Sequence, residues 1–199
     1  MRVNIIGTSG SGKSTLARCL SEKLAIPYIE MDALFWLKDW QGRADADFFQ
    51  RLESALEPDN WVLDGNYNRT REIKWRNVDV VIWVDYSFTR TLFQAVRRAY
   101  LRAWRKEELW SGTGNKESFL RSFLSRDSII LWTIKTYSRN RKRYLADLAD
   151  PRYRHIRFIT LRSPRECEAF LQHVPNTHSF GLSRYFGSTC RFYCQRCAD

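Results

Sequence analysis

The chain has 199 residues, enough for one well-buried domain with little left for a second. Apolar residues make up 44% and aromatics 15%, a composition that excludes general disorder, and no apolar run is long enough to span a bilayer. The net charge of +11 is concentrated: residues 87–145 hold 14 Lys/Arg against four Asp/Glu, while the rest of the chain is nearly balanced.

Residues 2–7 (RVNIIG) predict a buried strand, followed by a glycine loop and a helix with Leu16, Leu20 and Leu24 on one face. Ile26-Pro27 ends that helix. Residues 28–31 predict a short second strand closed by Asp32. A helix is expected over 45–56 and a breaker at Pro58-Asp59-Asn60; a third strand, 61–63, ends at Asp64-Gly65. Residues 78–84 are nearly all apolar, as suits a parallel strand covered on both faces.

The basic stretch predicts two helical patterns split by loop chemistry at residues 111–115. The first sets Leu92, Val96, Ala99 and Ala103 opposite Arg98, Arg102 and Arg105. The second runs through Phe119, Phe123, Ile130, Ile134 and Tyr137, with Arg139 and Arg143 one turn apart, and ends near Pro151. A fifth strand at 155–161 and a helix at 164–171 follow. Alternating strands and helices predict a doubly wound α/β domain over 1–174, with a five-stranded parallel sheet and a basic helical lid over about 87–148.

Gly7-Thr8-Ser9-Gly10-Ser11-Gly12-Lys13-Ser14 matches the pattern G-x-x-x-x-G-K-[ST] at every fixed position, between a strand and a helix. Such glycines let successive backbone N–H groups face phosphate oxygens, and the following helix adds its positive N-terminal end. Lys13 is the expected cation for the β- and γ-phosphates, Ser14 an expected Mg²⁺ ligand, and Thr15 continues the helix start. The expected ligand is ATP, with GTP as the alternative, together with Mg²⁺.

Ligands of open parallel sheets sit beyond the carboxyl ends of the strands, where Asp32, Asp64 and Asp85 all fall. Asp64 is the expected metal-side carboxylate and Asp32 the group that orients an acceptor hydroxyl; Asp85 reads as a turn former. Arg98 and Arg102 are candidates for a clamp on the migrating phosphoryl group, with Arg139 and Arg143 closing from the next helix, and Arg69 is placed to reach the acceptor side.

The strand-loop-helix start and the segment VLDGNYNRT resemble the adenylate kinase-like branch of P-loop kinases. Asp32-Ala33-Leu34-Phe35-Trp36, the Asp-Gly-Asn-Tyr segment and the basic helices most resemble the group known as topology modulation proteins. The resemblance implies a P-loop NTPase fold, ATP on the phosphate loop, Mg²⁺ near Ser14 and Asp64, and an acceptor pocket near Asp32 and Arg69. The expected activity is phosphoryl transfer in the cytoplasm to a small molecule, with a nucleoside monophosphate among the candidates. The alternative is a nucleic-acid-binding or regulatory ATPase, in which the basic helices grip a backbone and Trp104, Trp110 and Trp132 stack bases.

Beyond residue 174 no helical or strand period is present. Cys190, Cys194 and Cys197, with His178, have the composition of a zinc site, but a loose extension with free thiols is the expectation.

Overall fold

The computed structural model describes residues 1–105, 109, 110, 113–115 and 128–175. The predicted positions Phe119 and Phe123, the Arg105 side chain, and the cysteine tail with His178 lie outside the described residues.

Five strands form one parallel sheet in the order β2-β3-β1-β4-β5. They are β1 (Arg2–Gly7), β2 (Tyr28–Glu30), β3 (Trp61–Asp64), β4 (Val80–Val84) and β5 (Arg157–Leu161). β1 takes the centre because its neighbours cover it on both edges, Ile5 opposite Asp64 on one side and Gly7 opposite Val84 on the other. Glu30 also lies opposite Asp64, so the carboxyl ends of β1, β2, β3 and β4 finish along one rim.

Successive strand residues point to opposite faces, and the core divides accordingly. Val3, Ile5, Val80, Ile82 and Val84 meet Leu16, Leu20 and Leu24 of α1 (Lys13–Leu24) and Phe170 of α7 (Pro164–His173). Ile6, Leu63, Val81 and Trp83 face Phe48 and Leu52 of α3 (Asp45–Ala55), Trp75 of α4 (Arg71–Trp75) and Tyr144 of α6 (Ile129–Ala149). The buried Asn4 is satisfied within β1, accepting from Trp75 Nε1 at 2.9 Å and donating to the Leu63 carbonyl at 3.0 Å. α7 opens on a capping box: Ser163 accepts from the Glu166 N–H at 3.2 Å, and Pro164 sits where no N–H is needed.

Two short helices were not anticipated. α2 (Met31–Phe35) begins directly after β2, which puts Asp32 in a first helical turn rather than at a strand end. α4 follows β3 closely and carries Lys74 into the interior. The basic lid begins with α5 (Phe88–Arg105), 18 residues long, and continues in α6. Among the described residues, no helix is long and apolar enough to cross a membrane.

Candidate active site

The phosphate loop leaves β1 at Gly7 and enters α1 at Lys13. Gly10 and Gly12 have φ of 87° and 89°, the left-handed region that glycine enters without a Cβ penalty. Gly10 has a second reason to be glycine: a Cβ there would meet the Thr91 carbonyl at 2.7 Å and the Ala95 methyl at 2.8 Å, so α5 lies directly on the loop. Gly12 caps α1 with no side-chain acceptor, which leaves the N–H groups of the first turn free of a protein cap. The Ser11 hydroxyl is buried with no hydrogen-bond partner. These open donors fit a bound triphosphate.

Lys13 Nζ lies 3.9 Å from Asp64 Oδ1, with Lys13 mostly and Asp64 almost wholly buried. That oxygen accepts no hydrogen bond, and the Tyr28 hydroxyl lies 3.3 Å from Asp64 Oδ2 and 3.3 Å from Glu30 Oε2. Burial, with Asp64 and Glu30 beside it, pushes the Tyr28 phenol far above its ordinary range, so it acts as a donor. A buried carboxylate oxygen with spare acceptor capacity has the chemistry of a magnesium ligand. No group of three His, Cys, Asp or Glu suited to a metal ion occurs among the described residues.

On the acceptor side, the Tyr67 hydroxyl donates to Asp32 Oδ1 at 2.7 Å. Burial is the main influence lifting the Asp32 carboxyl above its ordinary pKa. Asp64 and Glu30 push the same way, and Lys13 and the Tyr67 hydrogen bond pull it back. Arg69 is engaged elsewhere: its Nε lies 3.2 Å from Asp45, and its guanidinium lies 4.8 Å from the Phe35 ring and 5.6 Å from Phe48. It closes the outer wall of an aromatic cluster of Phe35, Phe48 and Tyr67.

The lid touches both halves. Arg98 Nη2 donates to the Ser9 hydroxyl at 3.0 Å, and the Thr133 hydroxyl of α6 donates to the Ser9 carbonyl at 3.4 Å. Arg102 lies half-buried one turn beyond Arg98. Over the acceptor side, Trp110 packs with Trp36 and Trp40, centroids 6.5 and 5.7 Å away, and donates to Glu30 at 3.1 Å. Asn115 accepts from the Trp40 N–H at 3.0 Å and donates to the Leu37 carbonyl at 2.8 Å. These contacts hold Asp39 and Trp40 at φ of 55° and 60°, a conformation costing non-glycine residues about 1 kcal/mol or more each. Asp85 holds the lid from beneath, its carboxylate oxygens 3.2 and 3.3 Å from Arg141 Nε.

Strand order and phosphate loop together decide the architecture. The fold is a P-loop NTPase fold. No family model matches the sequence, and no curated protein does. Solved structures do. A shikimate kinase from Bacteroides thetaiotaomicron aligns over 86% of this chain and 94% of its own, with 15% identity and a TM-score of 0.50. A gluconokinase from Sinorhizobium meliloti 1021 covers 86% and 91%, with 17% identity and a TM-score of 0.45. A sugar kinase from Janibacter sp. HTCC2649 covers 86% and 92%, with 17% identity and a TM-score of 0.43. At 15% identity the likeness to the shikimate kinase speaks for the fold alone.

Proteins of this fold differ in chemistry through the groups around the loop; the structure brings Lys13, Asp32 and Asp64 of the expected residues together and adds Tyr28, Asn66, Tyr67 and Asn115, which the sequence did not single out. Asn66 and Tyr67 stand in the Asp-Gly-Asn-Tyr segment, the one signal that could have found them. Tyr28, Trp110 and Asn115 join the site through contacts distant in sequence.

Proposed function

We propose that the protein is an ATP-dependent phosphotransferase of the adenylate kinase-like branch, nearest the topology modulation protein group, acting in the cytoplasm on a small molecule with a free hydroxyl or phosphate. GTP is the alternative donor, and a nucleoside monophosphate is one candidate acceptor. The observation that carries this reading is the grouping of Lys13, Asp64 and Asp32 at the mouth of the phosphate loop, where Lys13 and Asp64 both bear on the charge of Asp32.

Bound MgATP would supply the transferable γ-phosphoryl group and neutralise part of its charge. The loop amides of residues 7–15 hold the phosphates, and Lys13 sets a cation against the far end. Ser14 and Asp64 hold the metal side. Asp32, fixed by Tyr67, accepts the proton of an attacking hydroxyl as the new oxygen–phosphorus bond forms, while the bond from the γ-phosphorus to the β,γ-bridging oxygen breaks and the nucleoside diphosphate leaves with that oxygen. Arg98 and Arg102 on the lid helix draw off charge spread over the equatorial oxygens, and the Trp36–Trp40–Trp110 cluster keeps water from competing with the acceptor.

Incubation of the purified protein with γ-labelled ATP, Mg²⁺ and a panel of nucleoside monophosphates, hydroxy acids and sugars tests the reading. Label should pass to one acceptor class with the wild type and not with a folded Lys13→Ala variant. Absence of ATP and GTP uptake by calorimetry would refute it.

One observation favours the nucleic-acid reading: Phe93, Tyr100 and Trp104 of α5 are 68, 51 and 77% exposed, on the same helix as Arg97. Trp110 is packed in the lid cluster rather than presented outward. Backbone binding would weaken steeply with salt, and a salt-insensitive nucleotide affinity with no retention of single-stranded DNA or RNA would remove this alternative.

A further inference from the structure

The four residues after Leu63 touch both the phosphate loop and the surroundings of Asp32. Asp64 faces Lys13, Lys74 Nζ donates to the Gly65 carbonyl at 3.3 Å, and Tyr67 holds Asp32. Asn66 reaches the other way, to the first residue of the phosphate loop. Its Oδ1 accepts from the Gly7 N–H at 3.1 Å, and its Nδ2 donates to the Gly7 carbonyl.

The arrangement has a structural cause. β3 stops pairing with β1 at Asp64, opposite Ile5, whereas β4 continues to Val84, opposite Gly7. Gly7 therefore lacks a strand partner on the β3 side, and the Asn66 amide takes that place with one acceptor and one donor. Gly7 has no room for a side chain: a Cβ there would meet the Ser11 hydroxyl at 2.5 Å and the Val84 carbonyl at 2.8 Å. The next residue, Tyr67, places its hydroxyl on Asp32. A continuous path thus runs from Gly7 through Asn66 and Tyr67 to the carboxylate of the acceptor side.

We infer that Asn66 is a positioning residue that ties the phosphate loop to the acceptor-side turn, so that nucleotide held at residues 7–15 fixes Tyr67 and, through it, Asp32. The inference rests on the nucleotide-binding reading above. Only a side-chain amide serves: alanine loses both bonds, and aspartate keeps the acceptor for the Gly7 N–H but turns an oxygen against the Gly7 carbonyl.

Amide hydrogen exchange with and without the Mg²⁺ complex of a non-hydrolysable ATP analogue, alongside calorimetry, tests it on the wild type, Asn66→Ala, Asn66→Asp and the exposed-site control Asn68→Ala. In the wild type and the control, the analogue should slow exchange in residues 7–16 and, about tenfold, in residues 64–70. In Asn66→Ala it should still bind and protect residues 7–16 while the response of 64–70 is lost. Asn66→Asp, which retains one contact, should lose the same response and covers the case in which the alanine variant does not fold. Wild-type protection of 64–70 in either folded variant overturns the inference, as does a wild type that binds the analogue with no response there. A wild type that takes up no analogue overturns the functional reading itself, and this inference with it.

Discussion

Lys74 is 3% exposed, and two cations and two carboxylates bear on its ammonium. Burial first, then Arg71 and Arg143, hold its pKa down to about 7 against the usual 10.5, while Asp147 and Asp64 pull the other way. Between those two values the unfolded chain keeps a proton that the folded chain has released, so stability rises with pH across the window. Below pH 7 the lysine is charged in both states and its contribution is flat. A gap of about 3.5 pH units at 1.36 kcal/mol each sets a ceiling of about 5 kcal/mol. Urea unfolding of the wild type and Lys74→Met at pH 6.5 and 8.5, at fixed salt, isolates the effect. The difference should move in favour of the wild type by roughly 2 kcal/mol between the two pH values. Parallel curves would refute the picture of a buried ammonium that gives up its proton on folding.

Three further outcomes follow from the site. Asp64→Asn should weaken magnesium dependence at least about tenfold, and an unchanged metal titration would remove Asp64 from the metal side. Asp32→Asn should lower phosphoryl transfer by about 10²–10⁴ with nucleotide affinity nearly unchanged. The wild-type rate should fall as pH drops through the raised pKa of Asp32, a limb absent from the variant; the same acid limb in both would show that another group titrates. Asn115→Ala strips the Trp40 N–H and the Leu37 carbonyl of their partner, at a cost of about 1–3 kcal/mol, and should shift tryptophan emission to the red as the Trp36–Trp40–Trp110 cluster loosens. Unchanged emission would show that aromatic packing alone holds the lid.

The sheet and the phosphate loop were legible because their signals are local. A run such as VVIWV has one plausible environment, and the glycine loop needs its residues at fixed spacing. Ser163-Pro164 with Glu166 likewise announces its own helix start. The boundaries of β4 and β5 were read two residues too long because Val78 and Ile156 are buried yet stand outside the ladder, in the turns that lead into it. α2 and α4, at five residues each, are too short for a periodic pattern to emerge. The surroundings of Asp32 were half legible: the structure brings Asp32 and Asp64, each read as closing a strand, near Lys13, whereas Arg69, read by its distance from Asp64, is held by Asp45 and by the rings of Phe35, Phe48 and Tyr67. Asn66 and Tyr67 act through hydrogen bonds to residues 59 and 35 positions away, which no local spacing encodes.

The central position of β1 has a consequence for how the molecule is made. Its hydrogen-bonding neighbours on both sides come later in the chain, the second ending only at Val84. During synthesis the glycine segment therefore leaves the ribosome long before anything exists to frame it, and parallel pairing between such distant segments is slow to form. Nucleotide has nothing shaped to bind until both flanking strands have docked. From then on, any ligand gripping that segment also braces the two strands beside it, so under the proposed nucleotide reading added ATP would aid refolding of this chain.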